Sequence, residues 1–181
     1  MDPLDALDKT FDHTHRVIAG ITADQYDQPT PCSEWTVRQV MEHTMSVVAG
    51  MGAAVAGQPR SEFELAADPG AQFEQIAAAT SAAWRGDGVL DRTIDFGTRS
   101  MPGRVLANIN LLDTATHSWD LAVATGQHAD LPDDVAQAAF EASQVVVSPE
   151  LRSGRFGPEV EAPAGAGATD RLVAFLGRTP A

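Results

Sequence analysis

PGRVLANINLLDTATHSWDLAVATGQ, from Pro102 to Gln127, is the stretch on which the fold turns. It reads as one long helix, with Pro102 suited to a first turn and Gly126 to the position just past the last one. Asp113 and His117 stand four apart and Asp120 three further on, so a helix lines all three along one stripe. Asp and His at this spacing let a single helix give two ligands to one ion. Upstream, His43 interrupts the apolar face of another helical stretch. The expectation is that these helices meet and that His43, Asp113 and His117 hold a metal. The residues taken alone also admit a plainer reading: an intrahelical hydrogen-bonded pair on one helix and a satisfied core histidine on the other.

Outward from this stretch, helical periodicity recurs. TVRQVMEHTMSVVAGMGAAVAG, about 36–57, builds an apolar face from Val37, Val40, Met41, Thr44, Val47, Val48 and Met51, with Ser33 or Thr36 as its cap. Before it, Pro29 and Pro31 make 21–35 a loop. Residues 3–20 place Leu4, Leu7, Phe11, Thr14 and Ile18 on one face; His13 and His15, two apart, point different ways and each reads as partly exposed. After a polar connection over 57–69, residues 70–85 turn Phe73, Ile76, Ala77, Thr80 and Trp84 inward. The period then shortens, and 88–99 reads as a brief extended excursion of hairpin type.

Beyond Gly126, residues 131–147 open with acids that suit a helix N-terminus, and Val135, Ala138, Ala139, Ala142 and Val145 face the core. An extended tail follows over 150–167, then a short helix over 168–177 with Leu172, Val173, Phe175 and Leu176 apolar and Gly177 as its stop. The sum is an all-α fold over one domain, 1–181: a four-helix bundle with a small extended insert and a short C-terminal helix.

The chain has 181 residues, 44% of them hydrophobic, which supports one globular core and argues against disorder. A formal net charge of −13 disfavours nucleic acid and anionic membrane surfaces as partners. With a single cysteine no internal disulfide forms, and the acidic N-terminus lacks a secretory apolar core, so a cytoplasmic location is expected. No run of residues is long and apolar enough for a transmembrane helix.

Three stretches carry a resemblance: TPCSEWTVRQVMEH (30–43), DTATHSWDLAVATGQ (113–127) and FGPEVEAPAGAGATDRLVAFLGRTP (156–180). Together they resemble actinobacterial proteins of the DinB-like superfamily, and more narrowly stand-alone relatives of the metal-binding domain of mycothiol-dependent maleylpyruvate isomerase. The resemblance implies an up-down-down-up four-helix bundle with a divalent metal, zinc or nickel, at one mouth. The family ligands are a His on the second helix and Glu-x-x-x-His on a later one. His43 matches the first and His117 the last, while Asp113 stands where the pattern has Glu. The shorter Asp implies a metal drawn toward this helix, weaker binding or none. The isomerase has a further C-terminal domain contributing to its active site, for which this chain is too short.

Two His and one carboxylate with an open fourth position form the ligand set of a catalytic rather than a structural zinc. Such a metal lowers the pKa of a bound thiol, so mycothiol as co-substrate would add to an electrophilic small molecule. The expected function is isomerisation or S-transfer; the alternative is a non-catalytic metal- or small-ligand-binding bundle, and a third reading is a bundle whose site has decayed. Asp120 and Asn110 lie one turn either side of the pair, placed to orient a ligand histidine or the substrate. Cys32 is the one alternative nucleophile, before a helix whose N-terminus would lower its pKa, although a packing thiol is the plainer role. Trp35 and Trp119 read as core or rim aromatics, and Arg99 and Arg104 as solvated unless they meet a substrate carboxylate. Monomer and homodimer are both compatible with the sequence.

Overall fold

The computed structural model describes residues 1–97, 99–152 and 155–180. Its main helices are α1 (Pro3–Ala19), α2 (Val37–Val55), α3 (Pro69–Trp84) and α4 (Gly103–Ala124), followed by α5 (Asp133–Val146), a single turn α6 (Pro149–Arg152) and α7 (Ala168–Phe175). A two-stranded antiparallel hairpin, β1 (Thr93–Phe96) and β2 (Arg99–Pro102), precedes α4. Among the described residues no helix is long and apolar enough to cross a membrane.

The helix starts follow from side-chain chemistry. Asp2 accepts from the amides of Leu4 and Asp5 to cap α1, with Pro3 in the first turn, and Asp68 caps α3 in the same way ahead of Pro69. At α2 the cap is Thr36, in a reciprocal box with Gln39. Ser33, the other candidate, is not used.

Each of α1 and α2 packs on both α3 and α4, which closes a four-helix ring with α1 diagonal to α2. Asp5 and Asp8 near the start of α1 bind Arg85 just past the end of α3, and Ala19 at the end of α1 lies against Gly70, so these two helices are antiparallel. Met1 and Pro3 share a groove with Asn108 and Leu111, while the Gln127 amide donates to the Val17 carbonyl, so α1 and α4 are parallel. Thr80 near the end of α3 donates to the Val48 carbonyl in the second half of α2, so those two are parallel, and the whole is an all-α four-helix bundle in up-down-down-up order. Leu7, Phe11, Met41, Met45, Phe73, Trp84, Leu106 and Leu111 fill its centre. Helix α4 is buried nearly all round, because α5 covers the side that the other three helices leave open.

Several expectations are corrected. Pro102 is not inside α4: it ends the hairpin ladder opposite Thr93, and the helix starts at Gly103, whose amide donates to the Arg92 carbonyl. A Cβ at Gly103 would overlap the Val89 carbonyl, so hairpin and α4 join only through a glycine. The hairpin thus extends past the expected 88–99; its Thr98 lies outside the described residues, as do Ser153 and Gly154 of the expected tail. Within 148–167 the backbone is not extended throughout, since α6 makes one helical turn.

The buried stripe of α5 runs through Val135, Ala136, Ala139, Ala142 and Ser143, turned so that it faces α4 and α1 on one flank and α7 on the other; Val145 is therefore 74% exposed. His13 is buried rather than partly exposed, because α1 is covered by α3, α4 and α5 at once. His15 remains half-buried.

The burial of His13 has a consequence for stability. Its Nε2 has no hydrogen-bond partner among the described residues, and burial, assisted by nearby Arg16 and His128, pushes its pKa from 6.5 down to about 4. The unfolded chain therefore takes up this proton before the folded one does. Stability from keeping His13 neutral is complete above pH 6.5 and is lost as the pH falls toward about 4. Thermal melts at about pH 7 and about pH 4.5 should show a larger loss of Tm in the parent than in His13→Met. Equal losses would mean that His13 protonates as freely when folded as when unfolded.

Candidate metal centre

Two helices deliver the polar cluster. On α2, Val40, Met41, Thr44 and Met45 are fully buried, which pins the helix and leaves His43 at the margin of that face, 31% exposed at its side chain. On α4, Asp113, His117 and Asp120 occupy one stripe of a helix with little solvent on any side, so their polar atoms must be satisfied within the protein.

The three expected ligands converge. His43 Nε2 lies 3.2 Å from Asp113 Oδ1, and His117 Nε2 lies 3.8 Å from the same oxygen. One ligand atom from each of His43, Asp113 and His117 falls within 4.8 Å of the others. Donors about 2.0–2.1 Å from a tetrahedral zinc stand roughly 3.3 Å apart, so the cluster has nearly the required spacing. The two imidazoles meet edge to face with centroids 4.9 Å apart. Asp113 Oδ2 is buried and has no hydrogen-bond partner among the described residues. Burial disfavours the charge on Asp113, yet the His43 hydrogen bond and the charges of His117 and Arg178 hold its carboxyl below the usual range. An ionised carboxylate with a spare buried oxygen, flanked by two imidazole nitrogens, is a donor set that fits a divalent cation.

Behind these groups lies a supporting layer. His117 Nδ1 is 3.0 Å from Asp120 Oδ2. Asp120 is fully buried; desolvation opposes its charge, but hydrogen bonds from His117 and Arg178 keep it ionised. An ionised carboxylate only accepts, so His117 Nδ1 donates to Asp120, and Nε2 is the ring nitrogen left to face Asp113. This is the carboxylate–histidine arrangement that orients metal ligands. Asn110, the other expected orienting residue, accepts from Thr114 through its Oδ1, and its buried Nδ2 has no partner among the described residues.

The remaining candidates divide. Cys32 reaches the site: its Sγ groups with His117 and Asp120 donor atoms within 4.8 Å. Its thiol is not activated, however. Burial raises its pKa, Asp120 raises it further, and Arg178 only partly opposes them. Trp35 forms a rim, its ring 4.6 Å from that of His43 and 5.8 Å from that of His117, whereas Trp119 is a core residue. Arg104 pairs with Asp91, and Arg99 is exposed on β2.

Two arginines with larger roles were not singled out by sequence pattern. Arg178 holds Asp120. Arg60 donates to Ser46, three residues after His43 on α2, and lies over Gly50. With Trp35, Glu42 and Phe63, it lines an open groove of about 500 Å³ that reaches His43. The only sequence signal for either is an arginine beside a glycine or proline turn, which is common at surfaces.

A sequence model described as the mycothiol maleylpyruvate isomerase N-terminal domain matches residues 7–122. The uncharacterized proteins Rv0738 and MT0763, from two strains of Mycobacterium tuberculosis, are each 35% identical over 184 residues, with 99% of this chain and 99% of each relative covered. The crystal structure of the mycothiol-dependent maleylpyruvate isomerase has a TM-score of 0.50 and 16% identity, a likeness of fold that covers 76% of this chain and 66% of that one. The chain belongs to the mycothiol maleylpyruvate isomerase N-terminal domain family.

Proposed function

We propose that this protein is a divalent-metal-dependent enzyme that uses a low-molecular-weight thiol, mycothiol by family relationship, in isomerisation or S-transfer on an electrophilic small molecule. His43, Asp113 and His117 are the ligands in this reading. The observation that carries it is the convergence of three donor side chains from two helices, with one buried carboxylate oxygen that has no partner among the described residues.

A bound zinc or nickel ion would supply Lewis acidity, lowering the pKa of a thiol so that it reacts as thiolate near neutral pH. The protein's own residues do the rest. Asp120 holds the proton on His117 Nδ1 and so keeps Nε2 available. Asp113, held ionised, contributes negative charge where cationic charge must be balanced. The Trp35 ring covers the two imidazoles on one side and limits water there. The groove beside His43 gives a small molecule access, and Arg60 at its wall offers a guanidinium to an anionic or strongly polar group. Burial and the Asp120 carboxylate raise the pKa of the Cys32 thiol in the metal-free chain, which favours an external thiol as the nucleophile.

Elemental analysis tests the site first. Purified protein, or protein reconstituted with zinc or nickel, is expected to hold about one equivalent of metal, as one closed ligand set allows. His43→Ala and Asp113→Ala should each lose it, while Asp113→Glu, which restores the longer carboxylate, should retain it. A parent that stays metal-free and takes up neither ion would refute the assignment.

The chemistry is tested separately. Metal-loaded protein should accelerate addition of mycothiol to an electrophilic alkene, followed by ultraviolet absorbance, and the two alanine variants should fall to the uncatalysed rate. Metal uptake without any thiol turnover would instead favour a binding or sensing bundle.

A further inference from the structure

The C-terminal arm, residues 149–180, lies beyond the residues matched by the family's sequence model, yet it ends at the metal centre. We propose that Arg178 is a positioning residue for that centre: it fixes Asp120, and through Asp120 the ring of His117, with Nε2 turned toward Asp113. The proposal rests on the ligand assignment above, but its geometry is independent of any bound ion.

The contact is a two-pronged one. Arg178 Nε donates to Asp120 Oδ1 at 3.1 Å and Nη2 donates to Oδ2 at 2.8 Å. Oδ2 also accepts from His117 Nδ1 at 3.0 Å, so one oxygen joins the arm to the ligand. Arg178 is 9% exposed and Asp120 is fully buried. A planar guanidinium matches both carboxylate oxygens at once and allows Asp120 one orientation; an ammonium in its place would neutralise the charge without fixing the plane. Nη1 is occupied too, donating to the Leu176 carbonyl, so the fork cannot swing away freely.

The arm is built to deliver this side chain. Helix α7 closes with Gly177 at φ +84°, its amide bonded to the Ala174 carbonyl, while the Arg178 amide bonds to the Val173 carbonyl. These paired bonds form the glycine turn that reverses the chain after a helix. Gly177 has no room for a side chain, since a Cβ would come within 2.7 Å of the Gly157 backbone. Arg152 ties the same two strands of chain, donating to the carbonyls of Gly157 and Phe175. The sequence Leu176-Gly177-Arg178 therefore acts as a unit: the glycine makes the turn and the turn aims the arginine.

A merely structural ion pair would affect folding but not the state of His117, which separates the two roles. Zinc affinity by chelator competition and histidine ¹⁵N shifts of metal-free protein at pH 8 should be measured for the parent, Arg178→Lys and Arg178→Met. Arg178→Met is expected to weaken zinc binding about 10- to 100-fold, as loss of groups supporting a metal ligand does, with Arg178→Lys recovering part of the loss. In the parent the shifts should place the His117 proton on Nδ1, and in Arg178→Met both nitrogens should share it. Folded Arg178→Met with zinc affinity within about twofold of the parent and an unchanged His117 proton would overturn the proposal. Should Arg178→Met fail to fold, Gly177→Ala, which keeps both charges but misplaces the turn, takes its place with the same two readouts. A parent that binds no zinc refutes the ligand assignment, and the nitrogen shifts then decide the Arg178 role alone.

Discussion

Burial of charge on α4 constrains much of the rest of the structure. A carboxylate as deeply enclosed as Asp120 is far from its preferred solvent and persists in ionised form only when its oxygens are satisfied. Here both oxygens accept from Arg178, and one also accepts from His117. That requirement ties the C-terminal arm to α4, where His117 sits one turn before Asp120 on the same helix. Asp113, two helical turns earlier on the same stripe, is met by His43 from α2 and has one oxygen with no hydrogen-bond partner among the described residues. The contrast is informative: the inner carboxylate is fully paired by protein groups, and the one nearer the groove is not. A bundle needing only stability would be served as well by apolar side chains at both positions.

The bundle itself was largely legible from residue pattern. Period and punctuation located every main helix within a few residues, because apolar faces and Pro, Gly or Thr boundaries report on local burial and local backbone conformation. His43, Asp113 and His117 were legible for a related reason: ligand spacing on one helix is a local property, and His43 stood out as a polar break in an apolar face. What escaped reading was set by long-range packing. The inward turn of His13 and the outward turn of Val145 depend on how many neighbours cover α1 and α5, which no period within either helix encodes. Arg178 and Arg60 escaped for the same reason. Their partners lie 58 residues away for Arg178 and 14 residues away, inside α2, for Arg60.

Cys32 shows why chemistry at a site cannot be read from proximity to a helix start. Its place shortly before α2 suggested a thiol made acidic by the helix dipole. In the folded chain the thiol instead sits beside Asp120 and His117, and burial together with the carboxylate field raises its pKa. The charges closest to a group outweigh a dipole end that is farther away and partly satisfied by the Thr36 and Gln39 box. The carboxylates that suit a cation here are thus the same ones that suppress an internal thiolate.

That suppression gives the arrangement a chemical logic. A reactive cysteine within reach of the proposed metal ligands would compete with an external thiol for the open coordination position, and would itself be exposed to the electrophile. A raised pKa and partial packing make Cys32 a weaker competitor in the metal-free chain, while the groove beside His43 is open. Arg178 stands at the balance point, because it is the one cation whose field opposes the rise in the Cys32 pKa and also the one that pairs with Asp120. Arg178 pairs with Asp120 at 2.8 and 3.1 Å, and at Cys32 burial and the Asp120 charge together outweigh the opposing guanidinium. The Asp120 carboxylate that accepts from both Arg178 and His117 is therefore also the charge that most raises the Cys32 pKa.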